Sequence, residues 1–361
     1  MKSIIIDRQC IRHNIEQVKL RAQNAAIYGV LKGDGYGLGL LELASLLREG
    51  GVARFAVTEA DDALRLRANG FTQEEILLLR PAEPRSLEAI LENGITASIG
   101  SREAAEALGA LAARRSVTAR VHIEIDTGMG RYGFLPGEID PIEAVFRTPG
   151  LEVAGIYTHF SSAFGDGKAT RAQFARFTAL VERLRAGGLE PGLVHAANSS
   201  ALMRFGMNLD AVRVGSALTG RLAGEGGARL QKAGYIRCEV DEVRWLPKGS
   251  NIGYGDVFKT RRPTKIAVLP VGYAHGFGVE KARDAYRLRD ALRYIFADLL
   301  LALGRNRLYA MVNGKRAPVL GRVGMLHTTV DVTGIECAPG DPARLEASPF
   351  YCGLLEREYV N

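Results

Sequence analysis

The chain has 361 residues, of which 47% are hydrophobic and 24% are charged. This balance is typical of a globular protein of about two domains, and it excludes a disordered or fibrous chain. The formal net charge is +7, but the basic residues are dispersed and their densest runs lack interleaved aromatic side chains, so we expect no nucleic-acid partner.

Eight short apolar runs alternate with amphipathic stretches over the first two-thirds of the chain. The runs lie at 26–31, 53–57, 75–79, 95–99, 120–125, 153–157, 193–196 and 211–214. Helical patterns lie between them, for example at 60–69, 102–113 and 170–186. Strands that alternate with helices favour parallel βαβ units, and eight units in about 230 residues predict a (β/α)8 TIM-type barrel.

The pattern changes after about residue 230, where β-branched runs separated by Gly, Pro and Asn become frequent. These runs lie at 235–240, 265–271, 309–312, 317–320 and 328–332. One helical stretch, 285–304, interrupts them. The sequence therefore predicts an α/β protein with a barrel at 1–230 and a C-terminal β-rich domain at 231–361.

Features of cellular location are few. No apolar stretch reaches the roughly 18 residues of a membrane span, and the opening MKSIIIDRQC does not resemble a signal peptide. The cysteines have neither metal-site spacing nor a disulfide framework; they are Cys10, Cys238, Cys337 and Cys352. We expect a cytoplasmic protein with reduced thiols, no metal and no membrane partner.

Chemistry in a barrel collects where the strands end. Lys32 ends the first run and precedes the flexible loop 33–37, which makes it a candidate Schiff-base amine or, alternatively, a surface lysine. Arg131 lies in the Gly-rich segment after the fifth run, as a cation for an anionic ligand or as a solvated turn residue. His159 follows the sixth run, and a single histidine is more often structural than catalytic.

The last two strand ends carry groups that suit an anion. Asn198 and Ser199 could bind a phosphate or could simply cap a helix. Gly215 and Ser216 lie where barrels commonly bind phosphate through backbone N–H groups. Arg213 lies within an apolar run and needs a buried partner, either an aromatic nitrogen base or a carboxylate.

Specific motifs connect these residues and continue into the second domain. They are VLKGDGYG (30–37), DTGMGRYGF (126–134), THF (158–160), NS (198–199), RVG (213–215), GYG (253–255), LPVGYA (269–274) and GRVGM (321–325). In this order they resemble the alanine racemase family of fold-type III pyridoxal-phosphate enzymes, over nearly the whole chain.

The resemblance implies a cofactor, pyridoxal 5'-phosphate, and two catalytic residues. Lys32 would hold the cofactor as a Schiff base and act as one acid/base group, and Tyr254 would act on the opposite face of the substrate. Tyr254 would come from the second domain of a neighbouring subunit, so a homodimer with shared active sites is implied. Racemisation needs a proton removed from one face and returned to the other, and two bases meet that need.

The resemblance also implies the binding residues. The cofactor would be bound by Tyr36, His159, Asn198, Ser199, Arg213, Gly215, Ser216 and Tyr359. Among these, Arg213 would face the pyridine nitrogen and be linked to His159. The small amino-acid substrate would be bound by Arg131, Tyr273 and Met325. Because a cation opposite the pyridine nitrogen keeps that nitrogen unprotonated, side reactions such as transamination would be suppressed.

Several positions depart from the family pattern. Glu124 replaces a lysine that much of the family carbamylates, and we expect its carboxylate to contact Arg131 directly. Leu38, His275 and Leu326 also differ near the expected substrate entrance. Interconversion of L- and D-alanine is therefore the expected activity, with serine, lysine or ornithine as alternative substrates.

Two other functions remain open. A decarboxylase of the same class would bind phosphate through a glycine-rich loop and usually place a cysteine near the substrate, but no such glycine triplet follows a predicted barrel strand, and Tyr254 favours a racemase. A non-catalytic relative that binds pyridoxal phosphate would not need both Lys32 and Tyr254.

Overall fold

The computed structural model describes residues 1–222, 226–280, 283, 286–303, 305 and 308–361. The chain forms two compact units, one made of Arg8–Ala233 and the other of Met1–Asp7 together with Gly234–Asn361. The first seven residues therefore differ from the expected division at residue 230. They contain strand β1 (Lys2–Asp7), which hydrogen-bonds in the sheet of the second unit.

The larger unit is a closed barrel of eight parallel strands, and the predicted (β/α)8 fold is confirmed. The strands are β2 (Ala26–Val30), β3 (Arg54–Val57), β4 (Glu75–Leu78), β5 (Thr96–Ile99), β6 (Ala119–Ile125), β7 (Leu151–Thr158), β8 (Leu193–Asn198) and β9 (Ala211–Val214). They follow one another around the barrel, and β9 closes it by pairing with β2. Both faces of such strands are buried, which explains their continuous apolar runs.

Helices connect the barrel strands. They are α1 (Arg8–Ala22), the short turn α2 (Lys32–Tyr36), α3 (Leu40–Glu49), α4 (Ala60–Ala68), α5 (Leu87–Glu92), α6 (Arg102–Arg114), α7 (Ile139–Arg147), α8 (Gly167–Ala186) and α9 (Ser199–Phe205). Three of them begin at side-chain caps, since Ser101, Asp166 and Asn198 each accept a hydrogen bond from a backbone N–H of the first turn. These caps fix the points at which the chain leaves the strands.

The smaller unit contains two sheets and one long helix. Its other strands are β10 (Gly234–Glu239), β11 (Glu242–Leu246), β12 (Thr264–Leu269), β13 (Tyr309–Val312), β14 (Lys315–Pro318), β15 (Thr328–Asp331), β16 (Pro342–Leu345) and β17 (Arg357–Val360). The six-stranded sheet has the order β14-β13-β16-β10-β1-β17, and the three-stranded sheet has the order β11-β12-β15. Short 3-10 turns occur at Pro84–Ser86, Tyr254–Asp256, Tyr273–His275 and Pro349–Tyr351.

The predicted helical stretch 285–304 corresponds to α10 (Leu288–Ala302), while residues 285 and 304 themselves lie outside the described residues. No residue of α10 is buried, and most of its apolar side chains are exposed. In the part of the chain that the structure describes, no helix is both long and apolar enough to cross a membrane.

Candidate active site

Lys32 directly follows β2, at the carboxyl end of the barrel strands. The turn that contains it is left-handed, with φ of 62° at Gly33 and 63° at Gly35, angles that glycine adopts without steric cost. This turn brings Lys32 and Tyr36 together, and the Lys32 Nζ lies 6.0 Å from the centre of the Tyr36 ring. The amine is exposed, so it is accessible to a ligand at this end of the barrel.

Tyr36, Ser199 and Gly215 form a compact cluster beside this turn. The Ser199 hydroxyl accepts hydrogen bonds from the N–H groups of Gly215 (3.0 Å) and Ala217 (3.2 Å). A Cβ on residue 215 would lie 2.2 Å from the Tyr36 hydroxyl, so only glycine leaves room for that side chain. Burial raises the pKa of Tyr36 well above its usual value, which keeps its hydroxyl protonated as a donor.

Arg213 lies inside the barrel and is almost completely buried. Its guanidinium donates to His195 Nδ1 at 2.7 Å and to the backbone oxygen of Thr158 at 2.6 Å. Burial lowers the pKa of Arg213 to about 10, so the side chain still carries its charge at neutral pH. The sequence suggested a carboxylate or an aromatic nitrogen base as the buried partner of Arg213. In the structure no carboxylate of the described residues is hydrogen-bonded to it, and the partner is His195, which sequence reasoning missed.

His159 is surrounded by cations. Burial and the charges of Arg213, Arg131 and Lys32 lower its pKa to about 3, so the ring is neutral at physiological pH. The expected link to Arg213 is therefore electrostatic, because the imidazole that Arg213 hydrogen-bonds belongs to His195. These four residues come from four different strand ends, and the barrel brings three cations close to the neutral ring of His159.

Asn198 and Ser216 lie next to the cluster in the chain. The Asn198 side chain accepts a hydrogen bond from the Ala201 N–H at 3.0 Å, which is the capping role considered from the sequence. The Ser216 backbone oxygen accepts from the Thr219 hydroxyl. Ser216 itself is partly exposed.

Arg131 lies in an exposed turn that Asp126 organises by accepting hydrogen bonds from the N–H groups of Gly128, Met129 and Gly130. The expected direct contact with Glu124 is absent, because the salt bridges within 4 Å among the described residues do not include this pair. Glu124 is buried, and its Oε2 has no hydrogen-bond partner in the described part of the chain. Burial raises its pKa, while a hydrogen bond from Tyr157 and the charge of Arg131 oppose that rise.

The smaller unit brings three candidate residues against one segment, 321–325. Tyr273 and the residue after it donate backbone hydrogen bonds to the oxygens of Gly324 (3.0 Å) and Met325 (3.1 Å). A Cβ on Gly253 or on Gly255, the two glycines that flank Tyr254, would lie 3.6 Å from an atom of Arg322, so the chain on both sides of Tyr254 is close to that residue. Tyr254 is 79% exposed, and Met325 and Tyr273 are about half exposed. Tyr359 lies apart from them on β17, paired with Ile6 of β1.

Sequence reasoning missed a group of polar side chains inside the barrel. They are Tyr28, Glu75, His122, Tyr157 and His195. Their signal was present in the alternation of the strands: His122 and Glu124, two residues apart on β6, share a face. In an eight-stranded barrel a polar residue on the inner face of an apolar run must find a partner across the interior.

Together these features define an enzyme built on a (β/α)8 barrel that is followed by a strand-rich unit. The family model for the N-terminal domain of alanine racemase matches residues 6–223, and the model for the C-terminal domain of alanine racemase matches residues 235–348. The chain is 37% identical to the alanine racemase of Desulforamulus reducens over 91% of its own length and 84% of that protein. It is 34% identical to that of Carboxydothermus hydrogenoformans, over 94% and 88% of the two chains. The chain belongs to the alanine racemase family.

Solved structures agree with this assignment. The alanine racemase of Clostridium difficile 630 is 25% identical, with a TM-score of 0.82 over 99% of this chain and 95% of that chain. The enzyme of Bacillus anthracis, solved with bound L-Ala-P, is 26% identical, with a TM-score of 0.79 over 100% and 95%.

Proposed function

We propose that this protein is a pyridoxal-phosphate-dependent racemase that interconverts L- and D-alanine with two bases. Its family membership supports this function. The observation that carries it is the placement of Lys32 at the barrel's carboxyl end beside the Tyr36–Gly215–Ser199 cluster and the charged Arg213.

The residues present fit pyridoxal phosphate, the cofactor of this family. Glycine at 215 leaves room for the Tyr36 hydroxyl, which stays protonated, and the Ser199 hydroxyl accepts from two backbone N–H groups and keeps its own proton, so both hydroxyls can donate to a phosphate. Tyr36, Ser199, Gly215 and Ser216 would hold that phosphate, with Tyr359 as a further tyrosine on the same side. Arg213 would face the pyridine nitrogen, because a guanidinium only donates hydrogen bonds and that nitrogen accepts them. His159 and Asn198 would lie beside the ring and its phosphate.

When bound, the cofactor withdraws electrons from the substrate's α-carbon and so makes its proton acidic. Lys32 would hold the cofactor's aldehyde carbon and, as a free amine, move a proton at the α-carbon on one face. The Tyr254 oxygen would move the proton on the other face. Whichever group removes the proton begins the cycle unprotonated, and the other begins it protonated, so inversion needs both.

Arg131 and Met325 would bind the substrate carboxylate, and Tyr273 would line the entrance. The 79% exposure of Tyr254 in a single chain supports its use in the site of a second copy, and hence a homodimer with shared sites. We infer a cytoplasmic location because the four cysteines form no disulfide among the described residues, and because of the proposed substrate.

The decisive experiment incubates the purified protein, loaded with pyridoxal phosphate, with a panel of L-amino acids in D2O. We expect α-deuterium exchange and loss of optical rotation with alanine, and no release of CO2. Faster exchange with serine, lysine or ornithine would mean that this amino acid, not alanine, is the substrate. Release of CO2 would mean that the protein is a decarboxylase and not a racemase. A protein that binds the cofactor but exchanges no substrate would be a non-catalytic relative.

Glu124→Gln is expected to stabilise the fold and to weaken catalysis. Because burial raises the pKa of Glu124 in the folded state, ionisation of that carboxylate costs wild-type stability as the pH rises through the raised pKa. The variant should therefore match wild type near pH 4 and exceed it at pH 8 by about 1 kcal/mol, the smaller end of the cost of an unsatisfied buried group. Its kcat/KM should fall, because the charge that acts on Arg131 is gone.

Urea unfolding at several pH values measures the first effect, and Glu182→Gln, on the exposed face of α8, is the control. A stability difference that is the same at every pH would contradict the assignment of the cost to ionisation. An unchanged kcat/KM would contradict the role of the charge.

A further inference from the structure

A continuous line of polar side chains crosses the interior of the barrel and ends at Arg213. The guanidinium donates to His195 Nδ1 at 2.7 Å. His195 Nε2 lies 2.8 Å from His122 Nδ1, and His122 Nε2 lies 3.5 Å from a carboxylate oxygen of Glu75. Glu75 begins β4, so the line runs from the amino end of one strand to the buried arginine on another.

The chemistry of the four groups fixes where every proton lies. Arginine can only donate, so His195 Nδ1 must be unprotonated and its proton must be on Nε2. That proton points at His122 Nδ1, which must therefore accept, and His122 in turn carries its proton on Nε2. In the described part of the chain, His122 Nε2 makes no short hydrogen bond, and the carboxylate oxygen of Glu75, 3.5 Å away, is an acceptor that this N–H can use.

Packing holds both rings in these orientations. His195 is stacked between Tyr28 and Tyr157, with ring centres 5.3 Å and 5.1 Å away and interplanar angles of 17° and 29°. The His122 ring lies against the backbone of Gly155, where a Cβ would stand 2.5 Å from Cε1. Neither ring can turn without displacing a packed neighbour.

The ionisation states of the four groups agree with these proton positions. Burial lowers the pKa of His195 and of His122, so both rings are neutral at physiological pH. Burial would raise the pKa of Glu75, but the nearby imidazole of His122 and the hydrogen bond from the Tyr28 hydroxyl (2.7 Å) lower it to about 2. A carboxylate and a guanidinium therefore lie at opposite ends of two neutral imidazoles.

We propose that Glu75 and His122 are positioning residues which, acting through His195, hold the Arg213 guanidinium in the orientation that it needs at the cofactor ring. This inference rests on the function proposed above, since it assigns Arg213 to the pyridine nitrogen. Glu75 and His122 touch neither cofactor nor substrate in this role. They keep His195 Nδ1 unprotonated, so that it can accept the hydrogen bond from Arg213.

The first test needs no variant. The protein has six histidines, so histidine-selective 15N labelling and solid-state NMR of the full-length protein, with and without pyridoxal phosphate, can resolve their tautomers. At neutral pH we expect His195 and His122 both to be neutral and protonated on Nε2. A His195 protonated on Nδ1, or doubly protonated, would overturn the proposal.

The second test compares Glu75→Leu, Glu75→Gln and Glu74→Leu. Glu75→Leu leaves the His122 Nε2–H buried without an acceptor and so opposes the tautomer order that Arg213 imposes from the other end. Both rings should then show a mixture of tautomers, and kcat should fall about 10- to 100-fold, the range for a lost hydrogen bond to a charged group. KM should change by less than about threefold, because the substrate contacts remain, and the ratio of pyruvate formed to alanine racemised should rise. Glu75→Gln should keep the wild-type tautomers and the wild-type kcat, because its amide oxygen can accept from His122.

Glu74→Leu is the matched control, because Glu74 is also buried but forms an ion pair with Arg48 of α3 at 2.6 Å. It should leave the tautomers and the pyruvate ratio unchanged. Wild-type tautomers and kcat in Glu75→Leu would overturn the proposal. The tautomer spectra of the cofactor-free protein do not depend on the reaction, so an absence of racemase activity would refute the proposed function without deciding the proton positions.

Discussion

Lys32→Ala is expected to lower the rate of alanine racemisation by about 10⁴-fold or more, because one substitution removes both a nucleophile and a base. The same variant should lose the near-ultraviolet absorbance band that the wild-type protein gains with pyridoxal phosphate. In wild type, borohydride should abolish that band and leave the cofactor covalently attached to the peptide that contains residue 32. The barrel should still fold, because the Lys32 side chain is exposed at the strand end.

Lys168→Ala is the control, because Lys168 is exposed in the first turn of α8. It should keep wild-type activity and the absorbance band. A Lys32→Ala protein in which borohydride still fixes the cofactor covalently to a peptide would place the attachment at another lysine and would remove the basis of the proposed function.

Tyr254→Phe is expected to slow racemisation in both directions by about 10²- to 10⁴-fold, the range for loss of one general acid/base group. The distinctive result is in the exchange of the α-proton. One enantiomer presents its α-proton to Lys32 and should still exchange it for deuterium without inversion. The other enantiomer, whose proton faces the missing phenol, should neither exchange nor invert.

Equal loss of exchange in the two enantiomers would contradict a separate base for each face. Tyr286→Phe is a suitable control, because Tyr286 is a fully exposed tyrosine of the same unit. It should leave both reactions unchanged.

Mixing the two inactive variants tests whether active sites are shared between subunits. In a dimer formed from one Lys32→Ala chain and one Tyr254→Phe chain, one of the two sites would have both residues intact. Random exchange of subunits makes half of the dimers hybrid, so about a quarter of wild-type activity should return. A mixture that stays inactive after complete exchange would mean that each site takes both residues from its own chain.

The barrel was predictable because its signals are local. Each parallel strand is buried on both faces and is written as a short apolar run, and each helix between strands has its own periodicity. The rule that barrel chemistry follows the strand ends then selected Lys32, Arg131, His159 and Arg213, and the structure brings the three cations close to the His159 ring. Their roles in catalysis remain predictions.

Non-local relations were not predictable. Strand β1 pairs with β10 and β17, whose residues are more than two hundred positions away, so no local pattern assigns it to the second unit. The partner of Arg213 depends on which side chains meet across the barrel interior, and this requires the register of all eight strands. The expected contact between Glu124 and Arg131 was wrong because Arg131 projects from an exposed turn while the carboxylate lies inside.

The pairing of β1 has a consequence for biosynthesis. Its apolar residues Ile4, Ile5 and Ile6 are translated before the barrel, yet their neighbours in β10 and β17 are translated only after it. At common translation speeds this delay is roughly 10–50 s, and during that time the apolar strand β1 has no partner strand to pair with. The barrel can close while translation continues, whereas the six-stranded sheet is complete only after β17 has been made, so β1 stays unpaired and accessible to chaperones in the meantime.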